Sequence, residues 1–274
     1  MPVFNEEKTI GKVLTALLNC GLVGEVICVN DGSTDLTRQI LKGFGKKIGF
    51  IDFKKNRGKG FALAADIKRA RGEIVIFLDG DLIDLNSGHV RVLLDPILDG
   101  SSRVVLGIPS FQIPVAWNRW KHLVSDIYFT SQYLTGQRAY LRKDLEPHLK
   151  EMMRTRYGVE IYLNRIFKGA PRRTVFLAGL STLLKTQKHS LQSALKEYLD
   201  MCLEIALELG KTEVVSEEDY QKIRDLAKNK LALLSRGLKK EVRIPKIKNK
   251  KLKSFLGKYI FKYIQRVNKF DSTN

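Results

Sequence analysis

At 274 residues the chain can bury a real core, and one α/β domain with a helical extension accommodates that length. Its 48 Lys and Arg against 29 Asp and Glu give a net charge of +19, an excess that points to an anionic partner: a membrane surface, a nucleic acid or a phosphorylated substrate. Three scattered cysteines, Cys20, Cys28 and Cys202, argue against a disulfide framework and for small buried hydrophobes in a reducing compartment. No run approaches the roughly eighteen apolar residues of a membrane span, and no signal peptide is visible, so a cytoplasmic protein or one on the inner face of the cell membrane is expected.

In chain order, Ile10, Val13, Leu14, Leu17 and Leu18 recur at helical spacing, with Asn5 as the cap and Glu6 and Glu7 in the first turn. A short β-rich run from Glu25 to Asn30 ends in Asp31-Gly32-Ser33. A second helical pattern covers about 35–42, a strand 48–53, a helix 60–70 and a continuous apolar strand 73–78. Strands alternating with helices at this pitch predict parallel βαβ units, whose ligands bind beyond the carboxyl ends of the strands. The polar clusters 30–33, 54–59 and 79–81 all fall at such ends and are expected to converge on one crevice.

After Val104-Val-Leu106 the pattern loosens. A long helix is expected over about 116–133, a turn at Thr135-Gly136, helices near 142–153 and 158–167, and a strand at 174–177. Amphipathic helices follow at 191–209 and 217–234. Between Arg236 and Lys269 there are 13 Lys or Arg against one acid, Glu241, so most of the net charge belongs to the tail. There Leu252, Phe255, Leu256, Tyr259, Ile260 and Tyr263 trace one helical stripe among lysines. A basic amphipathic helix with aromatics reads as an anchor on an anionic membrane, unless the stripe packs on the protein's own core. Nucleic acid would use the same charge, but no recognition motif for it is present.

The strongest local signal is Asp79-Gly80-Asp81 at the end of the apolar strand. Two carboxylates aimed at one site repel each other, and a cation is the usual resolution; Mg²⁺ or Mn²⁺ takes one or two carboxylates plus phosphate oxygens. Asn30-Asp-Gly-Ser-Thr-Asp35 reads either as a binding block or as a turn with a helix cap. Lys55-Asn-Arg-Gly-Lys-Gly60 is a basic, glycine-bearing loop that opens a helix and suits phosphates.

Together and in order, Pro2-Val-Phe-Asn-Glu-Glu7, the 30–35 block, Asn56-Arg-Gly-Lys-Gly60 and Asp79-Gly-Asp81 resemble the successive motifs of family 2 glycosyltransferases, over about 1–188. Thr135-Gly-Gln-Arg-Ala139 resembles the Ser-Gly-Phe-Arg block of polyprenyl- and dolichyl-phosphate mannosyl- and glucosyltransferases, and Tyr157-Gly-Val-Glu160 their following Gly-x-Glu element. The resemblance implies a GT-A fold: a Rossmann-like, mostly parallel sheet flanked by helices over 1–189, followed by a helical extension at 190–235 and the basic segment 236–274. It also implies that Pro2, Asn5 and Glu6 line the nucleotide pocket and Asp31 receives the base or ribose. Lys59 would lie near the nucleotide, and Asp79 and Asp81 would handle ribose, metal and diphosphate. Arg138, with Arg119 as a second candidate, would meet an acceptor phosphate, and Glu160 would be an acceptor-side carboxylate.

Three departures stand out. The chain starts at Met1-Pro2 where the family has a hydrophobic strand, so either the true start lies upstream or the first strand is absent. The acid usually found before the Thr135 block is replaced by Ser131 and Gln132. Thr182 stands where some GT-A enzymes place a metal-binding His, with His189 as a substitute; His89, His122 and His148 read as surface or structural. The expected activity is inverting transfer from a nucleotide-sugar to polyprenyl phosphate. A soluble or glycan acceptor, with Glu160 or Asp84 as general base, is the alternative, and a non-catalytic nucleotide-sugar-binding protein is the third reading. A nucleotidyltransferase would need a Gly-rich block near its first strand, which is lacking.

Overall fold

The computed structural model describes residues 1–109 and 135–182, all within the first of two units, Met1–Lys188 and His189–Asn274. The expected helices at 116–133, 191–209 and 217–234, the basic segment 236–274, and Arg119, His122, His189 and Cys202 lie outside these residues.

The first half alternates as predicted: β1 (Pro2–Val3), α1 (Ile10–Leu18), β2 (Ile27–Asp31), α2 (Thr37–Gly43), β3 (Gly49–Phe53), α3 (Lys59–Arg69) and β4 (Ile74–Phe77). The second holds β5 (Leu82–Ile83), α4 (Ser87–Leu98), β6 (Val104–Pro109), β7 (Arg138–Leu141), α5 (Arg142–Leu145), α6 (Leu149–Met152), α7 (Val159–Ile166), β8 (Arg172–Leu177) and β9 (Ser181–Thr182). β1, β2 and β3 pair in parallel in that order, Val3 opposite Asn30 and Asp31 opposite Phe53. β4, β7, β6 and β8 form a mixed sheet: β7 is antiparallel to both neighbours, and β6 and β8 are parallel.

Helices cover both faces, as an α/β sheet with buried strands requires. One core cluster packs Val13 and Leu14 of α1 and Leu93 of α4 against Cys28, Val105 and Ala139. The other packs Leu63 and Ile67 of α3 and Leu163 of α7 against Phe77, Leu106 and Tyr140. Burial pushes the Cys28 thiol up to about 12, so it behaves as a small inert hydrophobe.

Three expectations change. The first strand is present: Pro2–Val3 pairs with β2, and the Met1 carbonyl continues the ladder by accepting from Val29 N–H at 2.9 Å. Between β2 and β4 lies an apolar cavity of about 400 Å³ whose lining includes Met1, Leu17, Val26, Ile67, Ile76 and Leu78. Asn5 does not cap α1, which starts at Ile10 behind Thr9. The expected helix over 142–153 is broken into α5, a 3₁₀ turn at Glu146–His148 and α6, because Pro147 lacks the N–H that a continuous helix needs.

Sequence reading missed α4, although its capping signal was there. Asn86 Oδ1 accepts from His89 N–H, and His89 Nδ1 accepts from Asn86 N–H at 3.2 Å. The Nε2–H of the same ring then donates to the Ala178 carbonyl at 2.8 Å, tying α4 to the turn after β8. Asn86→Ala is expected to cost about 1 kcal/mol of stability, and adding His89→Ala to cost less than the two separate losses summed; urea unfolding of the two single variants and the double variant measures both.

Candidate active site

The loops leaving β1, β2, β3 and β4 lock onto one another. Asn5, held at φ 55°, accepts from Thr34 N–H at 2.9 Å and donates its own N–H to Ser33 Oγ at 3.0 Å. Glu6 N–H donates to Thr37 Oγ1 at 2.7 Å, which ties the β1 loop to the start of α2. Thr9 Oγ1 donates to the Gly80 carbonyl at 2.8 Å, joining the β1 loop to the Asp79-Gly-Asp81 turn. Glycine is required at 32: with φ 78°, any Cβ would run into the backbone of Lys55 and Asn56.

Asp31 is buried and accepts from Arg57 N–H at 2.7 Å and Gly58 N–H at 2.9 Å. Desolvation raises its pKa above the usual carboxylate range, against the lowering effect of those two amides. The amides that the basic loop was expected to offer a phosphate are therefore used within the protein to clip the β3 loop onto β2. Arg57 completes the clip by stacking over the Phe61 ring, 3.3 Å from its centroid.

The charged centre is built around Lys59, the first residue of α3. Its Nζ lies 2.8 Å from Asp79 Oδ1 and 2.7 Å from Glu160 Oε1. Burial alone would lower its pKa, but the two carboxylates outweigh that and raise it above the ordinary lysine range. Gly58 (φ 93°) and Gly60 let the start of α3 press against Thr155 and Arg156, where a Cβ at either position would clash. That contact sets the entry of α7 and so brings Glu160 to Lys59. A Cβ on Gly136 would likewise overlap the Asp79 carboxylate.

The structure thus gathers Glu6, Asp31, Lys59, Asp79, Asp81 and Glu160 at the strand ends, with Pro2 in β1 just behind. Arg138 is not among the groups open to a ligand. It is 1% exposed, donates to the Thr135 carbonyl at 2.6 Å and to Asn164 Oδ1 at 2.9 Å, and touches Tyr140 Oη. Period-two alternation in β7 places it on the same inward face as Tyr140. Asp84 is exposed on the far side of β5, at φ 63°. Thr182 pairs with Leu82, one residue past Asp81, in the β5–β9 ladder. The residue that sequence reading overlooked is Gln137, whose Nε2 donates to Asp79 Oδ2 at 3.0 Å.

The donor set is of the kind a hard divalent cation takes. Among the described residues no three His, Cys, Asp or Glu groups gather around a common point. Asp79 and Asp81 supply two carboxylates, which suits Mg²⁺ or Mn²⁺ completed by phosphate oxygens and does not suit an all-protein cage.

An α/β fold with parallel strands, flanking helices and an acidic turn at the end of β4 is of the GT-A glycosyltransferase kind. Residues 1–176 match the model of glycosyl transferase family 2, and the chain belongs to that family. Over 107 residues it is 36% identical to the glucosyl-3-phosphoglycerate synthase of Mycolicibacterium paratuberculosis, covering 36% of this chain and 32% of that protein. Over 93 residues it is 34% identical to a dolichyl-phosphate beta-glucosyltransferase of Trichomonas vaginalis, covering 30% and 29%. The chain thus spans about a third of the length of the curated relatives it matches. Among solved structures, glucosyl-3-phosphoglycerate synthase of Mycobacterium tuberculosis, in complex with Mn²⁺, UDP and phosphoglyceric acid, superposes with a TM-score of 0.56. It is 25% identical, over 77% of this chain and 75% of that one.

If Asp31 is the clip between β2 and the β3 loop, Asp31→Ala strands the buried amide of Gly58 and that of Arg57. Each is expected to cost roughly 1–3 kcal/mol, and hydrogen exchange at those two amides should accelerate before that of the α1 core.

Proposed function

We propose that this chain is a divalent-metal-dependent glycosyltransferase that moves a sugar from a nucleotide-sugar, UDP-linked by preference, to a hydroxyl of a small phosphorylated acceptor. The observation that carries this reading is Glu160, held 2.7 Å from the lysine that also holds Asp79. A carboxylate so placed sits beside the donor site and serves a hydroxyl acceptor, which must lose a proton as it attacks. A phosphate acceptor is already anionic and needs cationic positioning instead. Arg138, the described arginine expected to supply that, is turned into the core. The complex of the mycobacterial synthase with UDP, Mn²⁺ and phosphoglyceric acid supports the same donor and acceptor classes.

Asp81, with Asp79 beside it, would hold Mg²⁺ or Mn²⁺, which when bound offsets the charge growing on the departing diphosphate. The β1 and β2 loops that Asn5 and Glu6 lock together, with the β3 loop that Asp31 clips onto β2, form the wall for the nucleotide. Glu160 takes the proton of the acceptor hydroxyl as its oxygen attacks the anomeric carbon from the face opposite the diphosphate, which inverts that centre. Lys59 keeps a positive charge between the two sets of carboxylates.

A polyprenyl phosphate acceptor is the second reading, favoured by the likeness to the dolichyl-phosphate beta-glucosyltransferase. Under it the basic segment 236–270 would hold the enzyme on an anionic membrane surface at the inner face. Among the described residues no helix is long and apolar enough to cross a membrane.

The test supplies Mn²⁺ or Mg²⁺, then UDP-glucose, UDP-GlcNAc, UDP-galactose or GDP-mannose in turn, with 3-phosphoglycerate or a short polyprenyl phosphate. Nucleoside diphosphate release and glycosylated product are read, and Asp81→Ala should lower turnover at least about 100-fold. Product with 3-phosphoglycerate is expected. Product with the lipid alone, together with sedimentation on anionic liposomes, moves the acceptor to the second reading. No turnover, with a melting temperature unmoved by UDP and Mn²⁺, would leave a non-catalytic protein.

A further inference from the structure

One side chain at the centre of the site is unlike its counterpart in the motif that the chain resembles. Thr135-Gly-Gln-Arg138 stands where that block reads Ser-Gly-Phe-Arg, so an amide replaces a phenyl ring at 137. Gln137 is 2% exposed, and a buried amide is retained only when hydrogen-bonded. Its Oε1 lies 2.8 Å from Thr135 Oγ1, and its Nε2 donates to Asp79 Oδ2 at 3.0 Å. Its own carbonyl accepts from Gly107 N–H at 2.8 Å, which anchors the residue to β6. Asp79 then holds Lys59 at 2.8 Å and Lys59 holds Glu160 at 2.7 Å. Four side chains thus form one continuous chain from the β6–β7 side of the site, through the donor-side carboxylate, to α7.

We propose that Gln137 and Lys59 are positioning residues of a relay, Gln137–Asp79–Lys59–Glu160, that fixes the acceptor-side carboxylate relative to the donor-side one. The relay rests on the reading that Glu160 serves the acceptor. Its physical basis is geometric. Gly136 leaves the Asp79 carboxylate no room on one side, and Gln137 and Lys59 hold it on two others, so Asp79 cannot shift without moving Lys59. Lys59 lies between two carboxylates, and a shift at one changes its distance to the other. A donor seated at Asp79 and Asp81 therefore reports its presence to Glu160 through the lysine.

A double-mutant cycle of Gln137→Met and Glu160→Gln on kcat/KM tests the relay, with thermal unfolding to show that each variant is folded. The two residues are joined through Asp79 and Lys59. A shared network therefore predicts a double variant about tenfold more active than the product of the single losses. Losses that multiply within about twofold would overturn the relay. Lys59→Arg should retain more kcat than Lys59→Met, because the guanidinium can still span both carboxylates; equal losses argue for a nucleotide contact only. Lys59→Met replaces Gln137→Met in the cycle if the latter does not fold. If the wild type shows no turnover, the functional reading fails by itself, and the relay is read on UDP–Mn²⁺ affinity by calorimetry. Glu160→Gln should then weaken binding in the wild type but not beside Gln137→Met, and no effect in either background overturns it.

Discussion

Carboxylates gathered at one edge of a sheet repel one another and lose solvation, so the site holds together only because a cation sits among them. Lys59 is that cation in the described residues, with a side chain only 16% exposed and bonds to Asp79 and Glu160. Its position has conditions. It must be the first residue of α3, which requires Gly58 at φ 93° before it, and the start of α3 must touch the 152–156 turn, which requires Gly60 after it. Asp31 then pins the loop that delivers Gly58, through the backbone N–H groups of Arg57 and of Gly58 itself. The glycines and the buried aspartate of the motifs thus serve the placement of one ammonium group.

This explains why the first half of the fold was legible and the second half less so. From Ile10 to Phe77 each strand is a short apolar run, each helix shows a 3.6-residue stripe, and local pattern and final structure agree. The convergence of the 30–33, 54–59 and 79–81 clusters also followed, because parallel strands put all their carboxyl ends on one side. Beyond Leu106 the chain pairs β7 between β4 and β6 in an antiparallel sense. Nothing in Arg138-Ala-Tyr-Leu141 announces a central strand, since its first residue is an arginine. Pro147 broke a helix whose periodicity looked continuous, and α4 was hidden by Pro96 within it.

The same limit applies to the site. That Lys59 would lie beside Asp79 was readable because the polar loops after the strands were expected to share one edge, and the structure adds Glu160 to the pair. For Arg138 the motif match gave a residue type and not the face on which it lies. In a strand that face alternates with every residue, and Thr135, Tyr140 and Asn164 compensate the guanidinium so fully that a core position is tolerable. Gln137 was passed over for the opposite reason. An amide carries no charge to draw notice, and its importance lies in a contact with Asp79 across 58 residues of sequence.

These placements also bear on how a cation and a donor would enter. Asp79 is engaged by Lys59 and Gln137, and no third protein carboxylate or imidazole joins Asp81 among the described residues. A divalent ion with so few protein ligands depends on phosphate oxygens to complete its coordination. A diphosphate arriving alone would meet the carboxylates of Asp79, Asp81 and Glu160, two of which already share the charge of Lys59. Metal and nucleotide would therefore be thermodynamically linked, each raising the other's affinity by the same factor. On the proposed reading the acidic turn would receive the pair, with Lys59 already bonded to Asp79 and Glu160.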